Sequence, residues 1–188
     1  MKNMSWLNPP TRIKEESPLR FMTDPDTDFW RNTHYQFNRL TGHALLQDAP
    51  SGEFKSRIEV KLKPNATYDQ AGILLYVNDD HWVKVSAEFI PDGPSHLGAV
   101  VTSFGYSDWS CRDVDNTLFD APLVFELHYL NQDVTLYHVT GERKEQLRIA
   151  HLHDVTDLKI GPYGCSPDVE ASGCEVEVLS FSLEQITE

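Results

Sequence analysis

The 188 residues carry 16 basic against 29 acidic side chains, a formal net charge of -13, with 40% hydrophobic and 11% aromatic residues. That apolar content excludes wholesale disorder, and the charge disfavours phosphate backbones and anionic lipid, so neither nucleic acid nor membrane is an expected partner. The length suits a single β-sandwich domain over residues 1–188, because an all-β sandwich fills it with one core.

The amino terminus, MKNMSWLNPPTRIKEESPLR, has no apolar run of the kind a secretory signal needs, and no later stretch is long and apolar enough for a membrane span. A cytoplasmic protein is the expectation. Next comes DPDTDFWRNTHYQF at 24–37, in which Asp24, Asp26 and Asp28 alternate ahead of Trp30 and His34. An EF-hand is excluded, since Phe29 and Tyr35 stand where that calcium loop requires Gly and Glu. Pro25 and Thr27 explain the polarity as a turn.

From residue 52 onward the pattern is that of strands. GEFKSRIEVKL alternates Phe54, Ser56, Ile58 and Val60 with charged neighbours, which predicts a half-buried strand. NDDH at 78–81 is a tight-turn signal between two β runs; with Asp79 and Asp80 as turn residues, Asn78 faces His81. Counting outward puts Leu74, Tyr76, Val83, Val85, Ala87 and Phe89 on a plain core face. The other face then carries Ile73, Leu75, Val77, Trp82, Lys84, Ser86 and Glu88. That second face suits a polar, ring-shaped ligand: an aromatic covers the apolar side of the ring while charged groups bond its hydroxyls. A half-exposed sheet carrying a Lys–Glu pair accounts for the same pattern.

PLVFELHYL, DVTLYHVT, LRIAHLH and CEVEVLSFSL continue the strand signal, and no segment sustains the spacing of an amphipathic helix. A succession of short strands means an antiparallel sandwich or a closed barrel, and the long central strands favour the sandwich. Cys111, Cys165 and Cys174 form no CxxC pair and leave one thiol over, which fits a reducing compartment. A Cys165–Cys174 disulfide is the alternative for an exported chain. His128, His138, His151 and His153 scatter between both strand faces, so zinc is not expected.

TDFWRNTHYQF (27–37), YDQAGILL (68–75), HWVKVSAEF (81–89) and VVTSFGYSDWS (100–110) occur in this order after an opening MSWLNPP. As a set they resemble the DUF1349, or regulation-of-enolase, family over residues 4–110; the rest agrees in strand pattern alone. The resemblance implies a concanavalin A-like jelly-roll sandwich of two antiparallel sheets, the fold of legume lectins and several glucanases. It also implies a regulatory part in carbon metabolism, with a metabolic enzyme such as enolase as a partner. Its recurring polar and aromatic residues fall here on Asp28, Trp30, His34, Asp69, Gln70, Trp82, Lys84, Glu88, Asp108 and Trp109. As a ligand site, the three tryptophans stack on a sugar, Asp28, Asp69, Gln70 and Glu88 hydrogen-bond it, and Lys84 and His34 supply charge.

Catalytic signatures are sparse. The strand of alternate carboxylates that a glucanase of this sandwich type uses is absent. Its nearest imitation, CEVEV, has Val176 and Val178 as the buried alternation and Glu175 and Glu177 on a solvated face. No nucleophile elbow, phosphate-binding glycine loop or dinucleotide fingerprint occurs. The reading is a non-enzymatic carbohydrate or sugar-metabolite binding domain with no metal, cofactor or catalytic residue. The alternatives are a glycosidase-like enzyme using Glu88 with Asp69 or Asp108, and a protein-interaction module.

Overall fold

A computed structural model describes residues 3–186. The first third of the chain supplies β1 (Ser5–Leu7), β2 (Arg12–Glu16), β3 (Leu19–Met22), the two-residue β4 (Phe29–Trp30) and β5 (Arg39–Leu40), and β6 (His43–Asp48). Long strands follow: β7 (Phe54–Lys63), β8 (Gln70–Asn78), β9 (His81–Glu88), β10 (Ser95–Ser103) and β11 (Tyr106–Val114). After one 3-10 turn at Asn116–Asp120 come β12 (Leu123–Leu130), β13 (Asp133–Thr140), β14 (Arg143–His151), β15 (Lys159–Cys165) and β16 (Glu175–Gln185). Among the described residues no helix is long and apolar enough to cross a membrane.

Two seven-stranded antiparallel sheets form the expected jelly-roll sandwich. The first runs β1-β6-β15-β8-β9-β10-β11 and the second β14-β13-β12-β7-β16-β3-β2, while β4 and β5 pair by themselves. Both sheets keep open edges, so the barrel is excluded. Between them lies one apolar layer, to which the first sheet gives Ile73, Leu75, Val83 and Val85 and the second gives Phe54, Ile58, Phe125 and Val176. Strand alternation places these side chains inward and their neighbours outward.

The β8–β9 hairpin corrects the expected register. Asn78 does face His81, but a bulge at Val77 makes Tyr76 pair with Trp82 and Leu74 with Lys84. Ile73, Leu75 and Val77 therefore join Val83, Val85 and Ala87 in the core. Leu74 and Tyr76 share the outer face with Trp82, Lys84, Ser86 and Glu88, the reverse of the sequence-based assignment for β8. One extra residue in a strand exchanges its two faces. Ile73 to Val77 are apolar at every position, so β8 has no alternation of its own from which the slip could be read.

The outer face of the first sheet is also covered. Residues 24–42, between β3 and β6, cross it and lay Phe29 edge-on against Trp82 and Tyr163, with ring centroids 5.6 and 6.2 Å away. Thr27 N donates to Ser166 O (3.1 Å), Arg31 N to Ser107 Oγ (2.9 Å) and Asn32 Nδ2 to Gly105 O (2.7 Å), which ties the segment to the end of β15 and to the β10–β11 hairpin. Asp26, Asn32, His34 and Gln36 hold positive φ within it, a conformation that non-glycine residues keep only where surrounding contacts impose it. With the core on one side and the cover on the other, every residue of β9 is buried, whereas β7 on the second sheet alternates buried with exposed or half-buried positions. Cys165 and Cys174 lie buried as free thiols.

Candidate functional site

The register of the first sheet assembles the site floor. Gln70 pairs with Glu88, Val100 with Lys84, and Val100 again with Trp109 on the other side. All five side chains therefore share the outer face. The covering segment adds Asp26, Thr27, Asp28, Trp30, Tyr35, Phe37 and Arg39 as one wall, and Tyr68 and Pro167 add the other. They enclose a cavity of about 290 Å³, at the lower end of small-molecule sites. Five aromatic rings border it.

Its charged groups are mostly paired. Lys84, 2% exposed, donates to Asp28 Oδ1 (3.0 Å) and Gln70 Oε1 (2.9 Å), and its ammonium lies 5.6 Å from the Tyr163 ring centre. Asp28 Oδ1 also accepts from Phe29 N at 2.7 Å, and the Tyr163 hydroxyl donates to Gln70. At the rim, Arg39 pairs with Asp26. Burial, the largest single influence, opposes the Lys84 charge, but Asp28, Cys165 and Glu88 together outweigh it, so the ammonium's pKa is raised. Glu88, 5% exposed, is pushed up to about 7: burial is the main cause, the nearby Asp28 adds to it, and Lys84 opposes it. Lys84 pairs with Asp28, and Glu88 is left without an ion-pair partner among the described residues.

The structure brings six of the expected residues together around this cavity: Asp28, Trp30, Gln70, Lys84, Glu88 and Trp109. Four lie elsewhere. Trp82 is fully buried beneath Phe29 and cannot stack on a ligand; its place in β9 was right, but the cover occupies its ring face. Asp69 is fully buried and accepts hydrogen bonds from Asn65 N (2.8 Å), Ala66 N (3.0 Å) and Ser166 Oγ, so it organises the turn before β8. Asp108 pairs with the core residue Val101 and so projects to the opposite side of β11 from Trp109. His34 is exposed and packs against Tyr35 at 4.8 Å, outside the cavity lining. Asp69 and Asp108 are thereby removed as carboxylate partners for Glu88.

Tyr35, Phe37, Arg39 and Tyr68 are cavity residues that the sequence reading did not select. Tyr35, Phe37 and Tyr68 lie inside the segments that carried the resemblance, and a cluster of aromatics in a turn-rich stretch was the available signal. The three alternate aspartates turn out to serve three different partners. Asp24 Oδ2 accepts from Thr11 N (3.0 Å), Asp26 pairs with Arg39, and Asp28 with Lys84. Among the described residues no group of three His, Cys, Asp or Glu side chains could hold a metal ion.

Comparison with known proteins places this geometry in context. The family model described as a protein of unknown function, DUF1349, matches residues 6–186. Regulation of enolase protein 1 of Saccharomyces cerevisiae is 33% identical over 182 residues, 95% of this chain and 88% of that protein. A functionally unknown protein from Saccharomyces cerevisiae, known from its crystal structure, superposes with a TM-score of 0.85 at 28% identity over 99% of this chain and 98% of that one. A GH43 protein from Bacillus licheniformis shares the fold with a TM-score of 0.74 at 13% identity, over 98% of this chain but 37% of its own. The last likeness is therefore one of fold, to part of a larger protein.

Proposed function

Because the chain belongs to the DUF1349 family, we propose that it is a non-enzymatic regulatory module of carbohydrate metabolism whose aromatic cavity binds a sugar or sugar metabolite. One observation carries this reading: a cavity of about 290 Å³ walled by Trp30, Tyr35, Phe37, Tyr68 and Trp109 also holds the Lys84–Asp28–Gln70 network and Glu88. Aromatic faces match the apolar C–H faces of a sugar ring, and the polar groups match its hydroxyls. The network also fixes those polar groups before a ligand arrives, which lowers the ordering cost of binding. The relative's name, regulation of enolase, supports the regulatory half of the proposal, with a metabolic enzyme such as enolase as the partner that reads the ligand state.

The test is a protein-observed NMR titration with monosaccharides and sugar metabolites. Shifts centred on Trp30, Trp109 and Glu88 are expected. Trp109→Ala and Tyr35→Ala are expected to weaken the response by roughly tenfold each, about 1.4 kcal/mol, without loss of the folded spectrum. Absence of any response across both compound classes would remove the reading.

A second reading keeps one supporting observation. Glu88, pushed up to about 7 by burial, resembles a general acid, and Asp28, beside Lys84 of the floor, is one of two carboxylates that share its cavity, the other being Asp26 at the rim. A glycosidase-like activity would then rest on Glu88 and Asp28. Release of nitrophenol from aryl glycosides, abolished by Glu88→Gln, would establish it in place of the binding role.

A further inference from the structure

We propose that the cavity selects uncharged, ring-shaped polyols, such as unmodified monosaccharides, and discriminates against their phosphorylated and acidic derivatives. This rests on the sugar-binding reading above and narrows its ligand class.

The first argument is charge. Two cations line the cavity, and each already faces a carboxylate: Arg39 pairs with Asp26, and Lys84 with Asp28. Glu88 is a third carboxyl group with no cation of its own. Whether it is protonated or ionised, the lining carries a net charge of zero or minus one. An anionic ligand would have to displace Asp28 from the buried Lys84 or Asp26 from Arg39, leaving a carboxylate unpaired. Phosphate and carboxylate recognition normally depends on a free, often bidentate, cation, and none of the lining groups offers one.

The second argument is unmet hydrogen bonding. Trp109, which lines the cavity, has its Nε1 buried without a partner. Ser86 is 1% exposed, lies on β9 between Lys84 and Glu88, and pairs across the sheet with Gly98. The Trp109 indole lies over that same glycine, where a Cβ would stand 3.0 Å from its Nε1. Ser86 and Gly98 lie off the cavity lining, so the lining itself presents the indole donor and the Glu88 carboxyl. Buried polar groups without a partner are costly unless one is supplied. A ligand hydroxyl, which both donates and accepts, can serve both and adds no charge. In addition, Lys84 uses two of its three N–H donors on Asp28 and Gln70.

The experiment is a calorimetric or NMR titration of the full chain at constant ionic strength with matched pairs: D-glucose and glucose 6-phosphate, D-galactose and galacturonate, and myo-inositol alone. The expected result is binding of one or more neutral members, with the charged counterpart weaker by on the order of tenfold or more. Trp109→Phe, which removes the unpaired indole donor, is expected to weaken neutral ligands several-fold, and Tyr35→Ala, at a side chain 50% exposed, supplies a cavity variant with little risk to folding. A charged derivative that binds as tightly as its neutral partner, with the same sensitivity to Tyr35→Ala, overturns the proposed selectivity and leaves sugar binding standing. Silence of every probe overturns the sugar-binding reading itself, and this inference with it.

Discussion

The two outward faces of the sandwich place carboxylates beside lysines in both cases, yet they bring those carboxylates to opposite electrostatic states. On the second sheet, Glu175 meets Lys14 and Lys63, Glu126 meets Arg57 and Lys144, and Arg20 donates to Glu177 at 2.9 Å. Solvent reaches this face, and the hydrogen bonds from Lys14 and Lys63 pull Glu175 down to about 2. On the first sheet, residues 24–42 cover Lys84 and Glu88, and burial pushes Glu88 up to about 7. Covering a face thus changes what its charged residues can do: exposed pairs solubilise, whereas covered groups become a preorganised polar site with few substitutes for each partner.

Removing the cover's anchor is the strongest way to erase this contrast. Trp82→Ala is expected to cost about 3–5 kcal/mol in chemical denaturation and to speed amide exchange at Phe29, which rests on it, and at the adjoining Trp30. A loss below about 1.5 kcal/mol, the range of a volume-conserving core change, would show that the cover does not depend on the indole.

Next in size, Lys84→Met leaves Asp28 without its cation in a mostly buried setting, an expected loss of about 3 kcal/mol. The same variant removes the charge that opposes the rise of Glu88, so the Glu88 pKa is expected to climb further in carboxyl-resolved NMR. A fall would contradict the proximity of the two groups.

The pH dependence of stability separates the faces by sign. Glu88 titrates near 4.5 when unfolded and near 7 when folded, so the native state holds its proton more tightly. Its contribution is fully present below about 4.5 and is lost as pH rises through about 7. Glu88→Gln is expected to flatten the melting temperature across that window, and an unchanged slope would assign it to other groups. Glu175 behaves in reverse: its contribution is present above about 4.5 and is lost as pH falls toward about 2.

The smallest effect is expected at the exposed pair, where Lys63→Ala costs less than about 1 kcal/mol and fades with salt. A loss as large as that of Lys84→Met would mean that the two faces are not distinguished by solvent after all.

Much of this contrast was readable without coordinates on the second sheet and little of it on the first. In β7 the alternation of Phe54, Ile58 and Val60 with charged residues states which face is buried, and the structure agrees. In β9 the alternation was also visible, and it correctly grouped Trp82, Lys84, Ser86 and Glu88. Its partner strand was assigned to the wrong faces because a bulge leaves no mark in an all-apolar run. Asp69 and Asp108 came from the recurring segments, but a turn consumes one and the strand's pleat turns the other away.

By itself, then, the chain's pattern of alternating strands and turn residues determined an antiparallel all-β fold and favoured the sandwich over the barrel, because local alternation and turn chemistry act over a few residues. The set of recurring segments likewise singled out Asp28, Trp30, Gln70, Lys84, Glu88 and Trp109 as residues to watch. Only the tertiary structure decided that a segment between β3 and β6 lies across the first sheet. That long-range arrangement makes Trp82 an anchor instead of a platform, pairs Lys84 with Asp28, and brings Tyr35 and Phe37 to the cavity. Such outcomes depend on groups far apart in the chain, 56 residues for Lys84 and Asp28 and 139 for Thr27 and Ser166, and burial at that range is set by packing and not by neighbours in sequence.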